Sequence, residues 1–478
     1  MSIKNGIDTI LFFIRIQEMK VEEFLNSLVN YEKIPGYHYD LEAFKKFLKK
    51  LDSPHKKLKN VILIAGTKGK GSTATIINSC LIASGYKVGL FTSPHLLKIN
   101  ERIKINNKAI TDKEMEKYIK IIKPHINFKT RIGARTFFET LATIAYLYFA
   151  ENKVDFAVLE VGLGGRLDAT NVFEDHIPVI TRIGYDHMNL LGNKLSQIAY
   201  EKAGIIPDTR YQIPDNQKIP LNPAFIKRER GGLVITIHQR PSVETVLKKV
   251  AQKRNHRIVF ADELHKIKIK KLKLTGIELQ ITGSLGGFET ILPLPGKHQI
   301  ENLQIALAVM HILKNKGFNI KTQNIKKGIE QTKLPGRFEI ISKKPLIIYD
   351  VAHNEDSFRA LDDYLKLLCN IPLKNRRRSL YLIFGCSKDK DINYAIKYIF
   401  PKAEEVILVK ADNPRLMEPI EIYQKAKKYQ KNILIAGSVR RAIEYLMPEL
   451  KDNSATIIFG SFYLYPEVIR SLKYIDSI

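Results

Sequence analysis

Cysteine is scarce in this chain: Cys80, Cys369 and Cys386 are the three it holds among 478 residues. Three scattered thiols exclude a disulfide framework and a cysteine-held zinc site, and they fit a reducing, cytoplasmic setting. Long apolar runs are lacking as well. The longest early stretch, Ile10 to Ile14, is broken by Arg15 and falls far short of the ~20 apolar residues a spanning helix needs. No small-residue cleavage site follows it, so a secretory leader is not expected. One plain reading of residues 1–18 is a non-essential extension ahead of a working start at Met19. Short-period repeats and low-complexity tracts are missing too, which excludes solenoid and linker architectures.

Acid is short relative to base. There are 77 Lys and Arg against 49 Asp and Glu, a formal charge of +28. Such an excess raises the question of a nucleic-acid partner. Most of it is Lys dispersed along the chain, the habit of a solvated surface, with two local clusters at His265–Lys273 and Lys374–Arg378. In the first, Lys alternates with Ile and Leu, as in a half-exposed strand. A basic field suits small polyanions equally well.

Length and a 45% hydrophobic content point to two or three globular domains. Apolar runs at Val61–Ala65, Val88–Phe91, Phe156–Val161 and Pro178–Ile183 are separated by helical-period segments such as Ser72–Ala83 and Thr136–Phe149. That alternation predicts an α/β fold with a P-loop-type, doubly wound N-terminal domain. Lys266–Leu294 shows short alternating strands turning at Thr275–Gly276 and Gly286–Gly287, and Gln299–Lys314 is again helical. After Pro335–Gly336 a second series begins, with strands expected at Leu346–Val351, Tyr381–Phe384, Val406–Val409, Ile433–Ala436 and Thr456–Phe459. The expected division is a domain over 1–332, carrying an antiparallel patch at about 264–294, and a smaller Rossmann-like domain over 337–478. Pro207–Gly232 is Pro-rich and aperiodic and reads as a long surface loop.

The strongest local signal is the apolar strand Val61–Ala65 running into Gly66, Thr67, Lys68, Gly69, Lys70, Gly71, Ser72 and Thr73. Glycines let backbone N–H groups close on phosphate oxygens, the following helix start favours negative charge, and Lys70 can neutralise β- and γ-phosphates. The ordinary phosphate-loop pattern is not followed, because Gly71 separates Lys70 from the hydroxyl residue. Glu160 ends an apolar strand, the edge at which α/β sheets bind ligands.

This loop resembles that of the Mur-ligase superfamily, specifically folylpolyglutamate and dihydrofolate synthases. The likeness continues in order through Phe91–Leu96, Asn100–Ile103, Thr136–Thr140 and Val158–Asn171, the last being nearly letter for letter. It runs on through Ile183–Gly192, Glu201–Ile205, His298–Asn302, Leu334–Glu339, Tyr349–Asn354, Lys388–Asp391 and Gly460–Phe462.

The resemblance implies an ATP-dependent ligase that adds L-glutamate to folate, and to dihydropteroate in bifunctional members, acting on small molecules as a monomer. It implies magnesium, two ions of it, with Ser93, Glu160, His187 and Lys202 as ligands, Lys202 being carbamylated. It also implies that Gly66 to Ser72, Asn302, Arg337 and Asp350 contact the nucleotide, which would lie across a cleft that the second domain closes. Lys70, Lys202, His187 and His353 are the catalytic candidates, and His353, Lys390 and Ser461 are candidates for the acyl-phosphate or glutamate side. Plainer readings stay open. Ser93 also reads as a helix cap before Pro94, His187 as a loop histidine, Lys202 as a solvent-facing lysine paired with Glu201, and the last three candidates as caps or surface groups.

The chain departs from the family at three places. Ile34–Glu42 matches the dihydropteroate-holding loop only loosely, Pro207–Gly232 is long, and Pro207 stands where a basic residue is frequent. The competing readings are a Mur-type ligase for another carboxylate, for which the stretch before Gly66 is short if a uridine-nucleotide domain is needed, and a nucleotide-regulated RNA-binding protein. Because the lysines are dispersed, RNA and DNA should bind weakly in a filter assay, with affinity collapsing as salt approaches physiological strength. Tight, salt-resistant retention would favour the RNA-binding reading.

Overall fold

The computed structural model describes residues 21–28, 40–126, 135–208, 231–370 and 379–475. Residues 1–18, most of Ile34–Glu42, nearly all of Pro207–Gly232, the Lys374–Arg378 cluster and the Cys369 side chain lie outside the described residues.

Among the described residues three sheets form. The first contains β1 (Val61–Ala65), β2 (Val88–Phe91), β3 (Ile103–Ile105), β4 (Lys108–Ala109), β5 (Phe156–Glu160), β6 (Ile177–Ile180), β7 (Gly232–Thr236) and β8 (His256–Phe260), in the order β4-β3-β2-β5-β1-β6-β7-β8. Pairings from β2 through β8 are parallel, and β3 and β4 close one edge antiparallel. β1 and β5 are buried at every position, which is why they read as unbroken apolar runs rather than alternating ones. The chain steps to one side of β1 for β2 and to the other for β6, so the topological switch lies at the carboxyl end of β1.

One helix of the first unit begins at a side-chain cap. Thr136 Oγ1 accepts the Glu139 N–H at 2.9 Å, and Glu139 returns the bond to the Thr136 N–H at 2.9 Å, a capping box at the start of Phe137–Glu151. The sequence reading ended the first sheet too early. β7, β8 and the intervening helix Pro241–Lys253 were not foreseen, because β8 is mostly half-buried and mixes charge with apolar residues.

The second sheet is β9 (His265–Lys273), β10 (Gly276–Gly283) and β11 (Phe288–Leu292), in the order β11-β10-β9. The lysine-rich segment is thus an edge strand, where charge discourages pairing with other chains. Lys270 and Lys273 pair with Glu289 and Glu278. The third sheet holds β12 (Glu339–Lys343), β13 (Leu346–Asp350), β14 (Ser379–Phe384), β15 (Glu405–Val409), β16 (Ile433–Gly437) and β17 (Ser454–Phe459), in the order β12-β13-β17-β14-β15-β16. It is parallel apart from the β12 edge, as a Rossmann-like domain requires.

Two compact units result. One runs to Lys266 and takes in Gly283–Gly286 and Glu301–Gly328; the other takes Ile267–Thr282, Gly287–Ile300 and the chain from Ile329 onward. The antiparallel patch, read above with the first domain, belongs by its contacts to the second unit. Tyr364 Oη donates to Lys273 O, Thr290 Oγ1 bonds Glu330, and Leu274 packs on the second core. No helix among the described residues is long and apolar enough to cross a membrane.

His176 is 7% exposed and bonds Ile205 O through Nε2 at 2.7 Å. Burial holds its pKa down at about 4, against an ordinary 6.5. Between those values the unfolded chain binds a proton that the folded chain refuses, so stability falls as pH drops from 6.5 to about 4. The largest loss from this one group is about 3 kcal/mol. Urea midpoints measured across that window should fall less steeply in His176→Gln than in wild type.

Candidate active site

β5, β1 and β6 end side by side, with Ile64 level with Glu160 and Ala65 level with Ile180. The loops after these strands therefore share one edge of the sheet. The first loop is shaped by two glycines with positive φ, Gly66 at 148° and Gly69 at 87°. A Cβ on Gly66 would lie 1.8 Å from Thr181 Oγ1, and one on Gly69 would lie 2.0 Å from Asn302 Oδ1. No larger residue fits either position. Gly69 leads directly into helix Lys70–Ala83, whose first N–H groups leave the helix start aimed at an anion. The segment after β6 braces the loop from the other side: Arg182 O accepts the N–H groups of Thr67 and Lys68 at 2.9 and 3.1 Å.

Two lysines meet on one carbonyl here. Lys70 Nζ donates to Gly66 O at 3.2 Å, and Lys202 Nζ donates to the same oxygen at 2.9 Å. Lys202 is 4% exposed, so the solvent-facing reading fails. Its supposed partner Glu201 instead takes Arg166 in a forked pair at 3.0 to 3.2 Å. The signal was present in the sequence: Lys202 stands seven positions after Leu195, on the stripe that Ile198 and Ala199 continue, and all four are buried. Burial, with the Lys70 cation beside it, brings the Lys202 amine down to about 7; Asp186 and Asp168 act the other way. An amine so placed is substantially neutral at ordinary pH.

Glu160 is 4% exposed, and its Oε2 accepts the Ser93 N–H at 2.9 Å. Ser93 is thus held against the carboxylate by its own backbone. His187 takes a left-handed conformation, φ 48°, at the start of the short helix Met188–Leu191. Its side chain is 48% exposed, 3.9 Å from Asp186. Among the described residues no three His, Cys, Asp or Glu side chains converge as a metal cage. A ring of protein ligands is not what magnesium asks for; one or two carboxylates with phosphate and water suffice. Glu160 and Ser93 fit that requirement. An ammonium does not, and Lys202 fits only as a carbamate.

In the second unit Asp350, at the end of β13, accepts the N–H groups of Phe338 and Ala352, each at 2.7 Å. Burial raises its pKa, while Arg337 opposes that rise. The Arg337 guanidinium stands 5.9 Å from the Phe462 ring. His353 Nδ1 bonds Val351 O at 2.8 Å, and its ring lies 5.2 Å from that of Phe462. Ser461 Oγ accepts the Tyr463 N–H at 3.3 Å, and Lys390 pairs with its neighbour Asp389 at 3.1 Å, as a cap and a surface group do. Sequence reasoning missed Arg182, since a carbonyl acceptor has no residue signature. It also missed Asp168, which orders the loop after β5 by accepting N–H groups from Leu163 and Thr170, each at 2.9 Å.

Comparison with known proteins bears on this arrangement. Residues 64–218 match the Mur ligase middle domain, and residues 336–462 match the Mur ligase glutamate ligase domain. A dihydrofolate synthase/folylpolyglutamate synthase from Bacillus subtilis is 31% identical over 446 residues, covering 92% of this chain and 96% of its own. The solved folylpolyglutamate synthase of Thermotoga maritima superposes with a TM-score of 0.77 at 31% identity, covering 97% of each chain. FolC of Escherichia coli, solved in complex with DHPP and ADP, gives a TM-score of 0.78 at 25% identity, covering 96% of this chain and 99% of its own. With relatives of this identity matched along nearly their whole length, the chain belongs to the folylpolyglutamate synthase/dihydrofolate synthase family of Mur ligases.

Proposed function

We propose that this protein joins the amine of L-glutamate to a folate carboxylate at the expense of ATP, and serves dihydropteroate in the same way. The observation that carries the reading is the pair of lysines on Gly66 O beside a buried carboxylate at the switch point of a parallel sheet. Family membership and the ADP of the Escherichia coli relative support it.

The proposed reaction has two steps. An oxygen of the substrate carboxylate attacks the γ-phosphorus, and the bond to the ADP oxygen breaks. The glutamate amine then attacks the acyl carbon, loses a proton, and phosphate departs. Nothing in either step needs a Ser or Cys nucleophile, so positioning and charge neutralisation carry the catalysis. Lys70 exchanges its 3.2 Å bond to Gly66 O for a phosphate oxygen, a stronger charge-assisted partner. Gly66 to Ser72 cradle the phosphates, and Asn302 stands beside Gly69 in the same unit. Arg337, Asp350 and His353 are the functional residues proposed for the second unit. When bound, magnesium supplies neutralising charge on phosphate oxygens; Ser93, Glu160 and His187 would hold it, with carbamylated Lys202 completing a site for a second ion. Dispersed lysines support the part of the reading that leaves out nucleic acid; the protein is proposed to act on small molecules as a cytoplasmic monomer.

Incubation with tetrahydrofolate, ATP and L-glutamate should give products heavier by whole glutamyl units, with stoichiometric ADP. Lys70→Ala should abolish both while leaving the circular dichroism unchanged. Reaction with dihydropteroate alone would narrow the activity to dihydrofolate synthesis, and reaction with neither would end the folate reading.

Carbamylation of Lys202 is supported by its burial beside Lys70. Addition of CO₂ to the neutral amine forms an N–C bond, opens one C=O π bond, releases a proton and leaves a carbamate anion where the protonated lysine would be a cation. Lys202→Ala should lose most activity and keep ADP affinity within a few fold, with small carboxylic acids partly restoring turnover. Density for a bare amine in the magnesium–nucleotide complex, with full activity in the alanine variant, would defeat this assignment.

A further inference from the structure

The phosphate loop is gripped on both sides, and the two grips are joined by one ion pair. On one side Arg182 O takes the N–H groups of Thr67 and Lys68 at 2.9 and 3.1 Å. The guanidinium of the same residue meets Glu301: Nε bonds Oε2 at 3.0 Å and Nη2 bonds Oε1 at 2.5 Å. Its remaining Nη1 donates to His238 O at 2.8 Å. Glu301 lies in the first turn of helix Gln299–Asn315 and directly precedes Asn302. Asn302 Oδ1 fills the space where a Gly69 Cβ would be, 2.0 Å from that position. Loop, Arg182, Glu301 and Asn302 therefore close a ring within the first unit.

We propose that Arg182 and Glu301 are positioning residues for the nucleotide. The pair fixes the spacing between the Thr67–Lys68 side of the loop and the Asn302 side, so that the loop stays open to the width of a phosphate chain. The inference rests on the functional reading above. Two parallel bonds between fork and carboxylate restrict rotation as well as distance, and rotation of Arg182 is what would turn its carbonyl away from Thr67 and Lys68. A lysine could replace the charge but not the fork. Both side chains are more than a third exposed, 37% and 38%, and pairs so exposed add little to global stability. The pair's effect should thus appear in nucleotide binding rather than in unfolding. Nothing about either residue in sequence announces this, since Arg182 acts through its main chain on one side and its side chain on the other.

The test is calorimetric titration of ADP with magnesium into wild type, Arg182→Gln, Glu301→Gln, the double variant and Arg182→Lys, with urea midpoints and the KM for glutamate measured alongside. Each single substitution should raise the ADP Kd roughly tenfold. The double variant should be no worse than either single, and Arg182→Lys should recover little. Urea midpoints and the glutamate KM should stay at wild-type values. Unchanged ADP affinity in both singles overturns the inference, as do additive effects in the double variant. A falling urea midpoint with ADP and glutamate affected together shows a merely structural pair and overturns it too. Wild-type protein that binds no ADP defeats the functional reading, and this inference with it; failure confined to the variants defeats the inference alone.

Discussion

Gly66 O is the point on which the glycine loop of the first unit depends. It accepts from Lys70 and Lys202 together, so two lysine amines share one neutral acceptor in a largely buried place, and protonating both there sets two cations side by side. Like charges so close are held at a cost that grows as water is excluded. Any anion reaching the loop would lower that cost by compensating the lysines, and loss of a proton from Lys202 lowers it by removing one of the two charges. Burial first, and then this crowding, depress the Lys202 amine.

The surrounding sheet makes this crowding possible. β1 is central, with β5 and β6 on either side, and its buried apolar residues leave no freedom in where the loop begins. Glu160, level with Ile64, enters from one flank, while Thr181 and Arg182 enter from the other. The helix carrying Lys202 is brought under the loop by its apolar stripe, and the end of that helix is tied down by the bond from His176 to Ile205 O. Apolar packing places the backbone, and the backbone then places two charges where solvent would not have left them.

How much of this could be read from the sequence depended on range. Strand β1, its glycine turn and the helix after it are local, and each left a local signature: an apolar run, two glycines, a helical period. Glu160 at a strand end was legible for the same reason. The resemblance to known ligases supplied Asn302 as a nucleotide contact, but only the fold shows it against Gly69, 233 positions earlier in the chain (302 less 69). Lys202 had its signal in a helical stripe, yet a lysine there is usually read by its charge rather than by its register. Arg182 had none, because what it offers the loop is a carbonyl. The antiparallel patch was found as strands and placed with the wrong neighbour, since strand periodicity says which face is apolar and nothing of what covers it.

The division of the chain carries a consequence of its own. Following residue number, the backbone changes unit after Lys266, Thr282, Gly286, Ile300 and Gly328. Neither unit is a continuous segment, so no single cut separates them: cleavage after Lys333 would leave the C-terminal piece without the three strands β9 to β11 that Tyr364 and Leu274 tie to it. Splitting this protein into two expressible halves, or grafting its second unit onto a relative, therefore requires moving residues 267–300 along with the C-terminal third. Recombination between homologues should be tolerated best at crossover points that keep that insert and its host together.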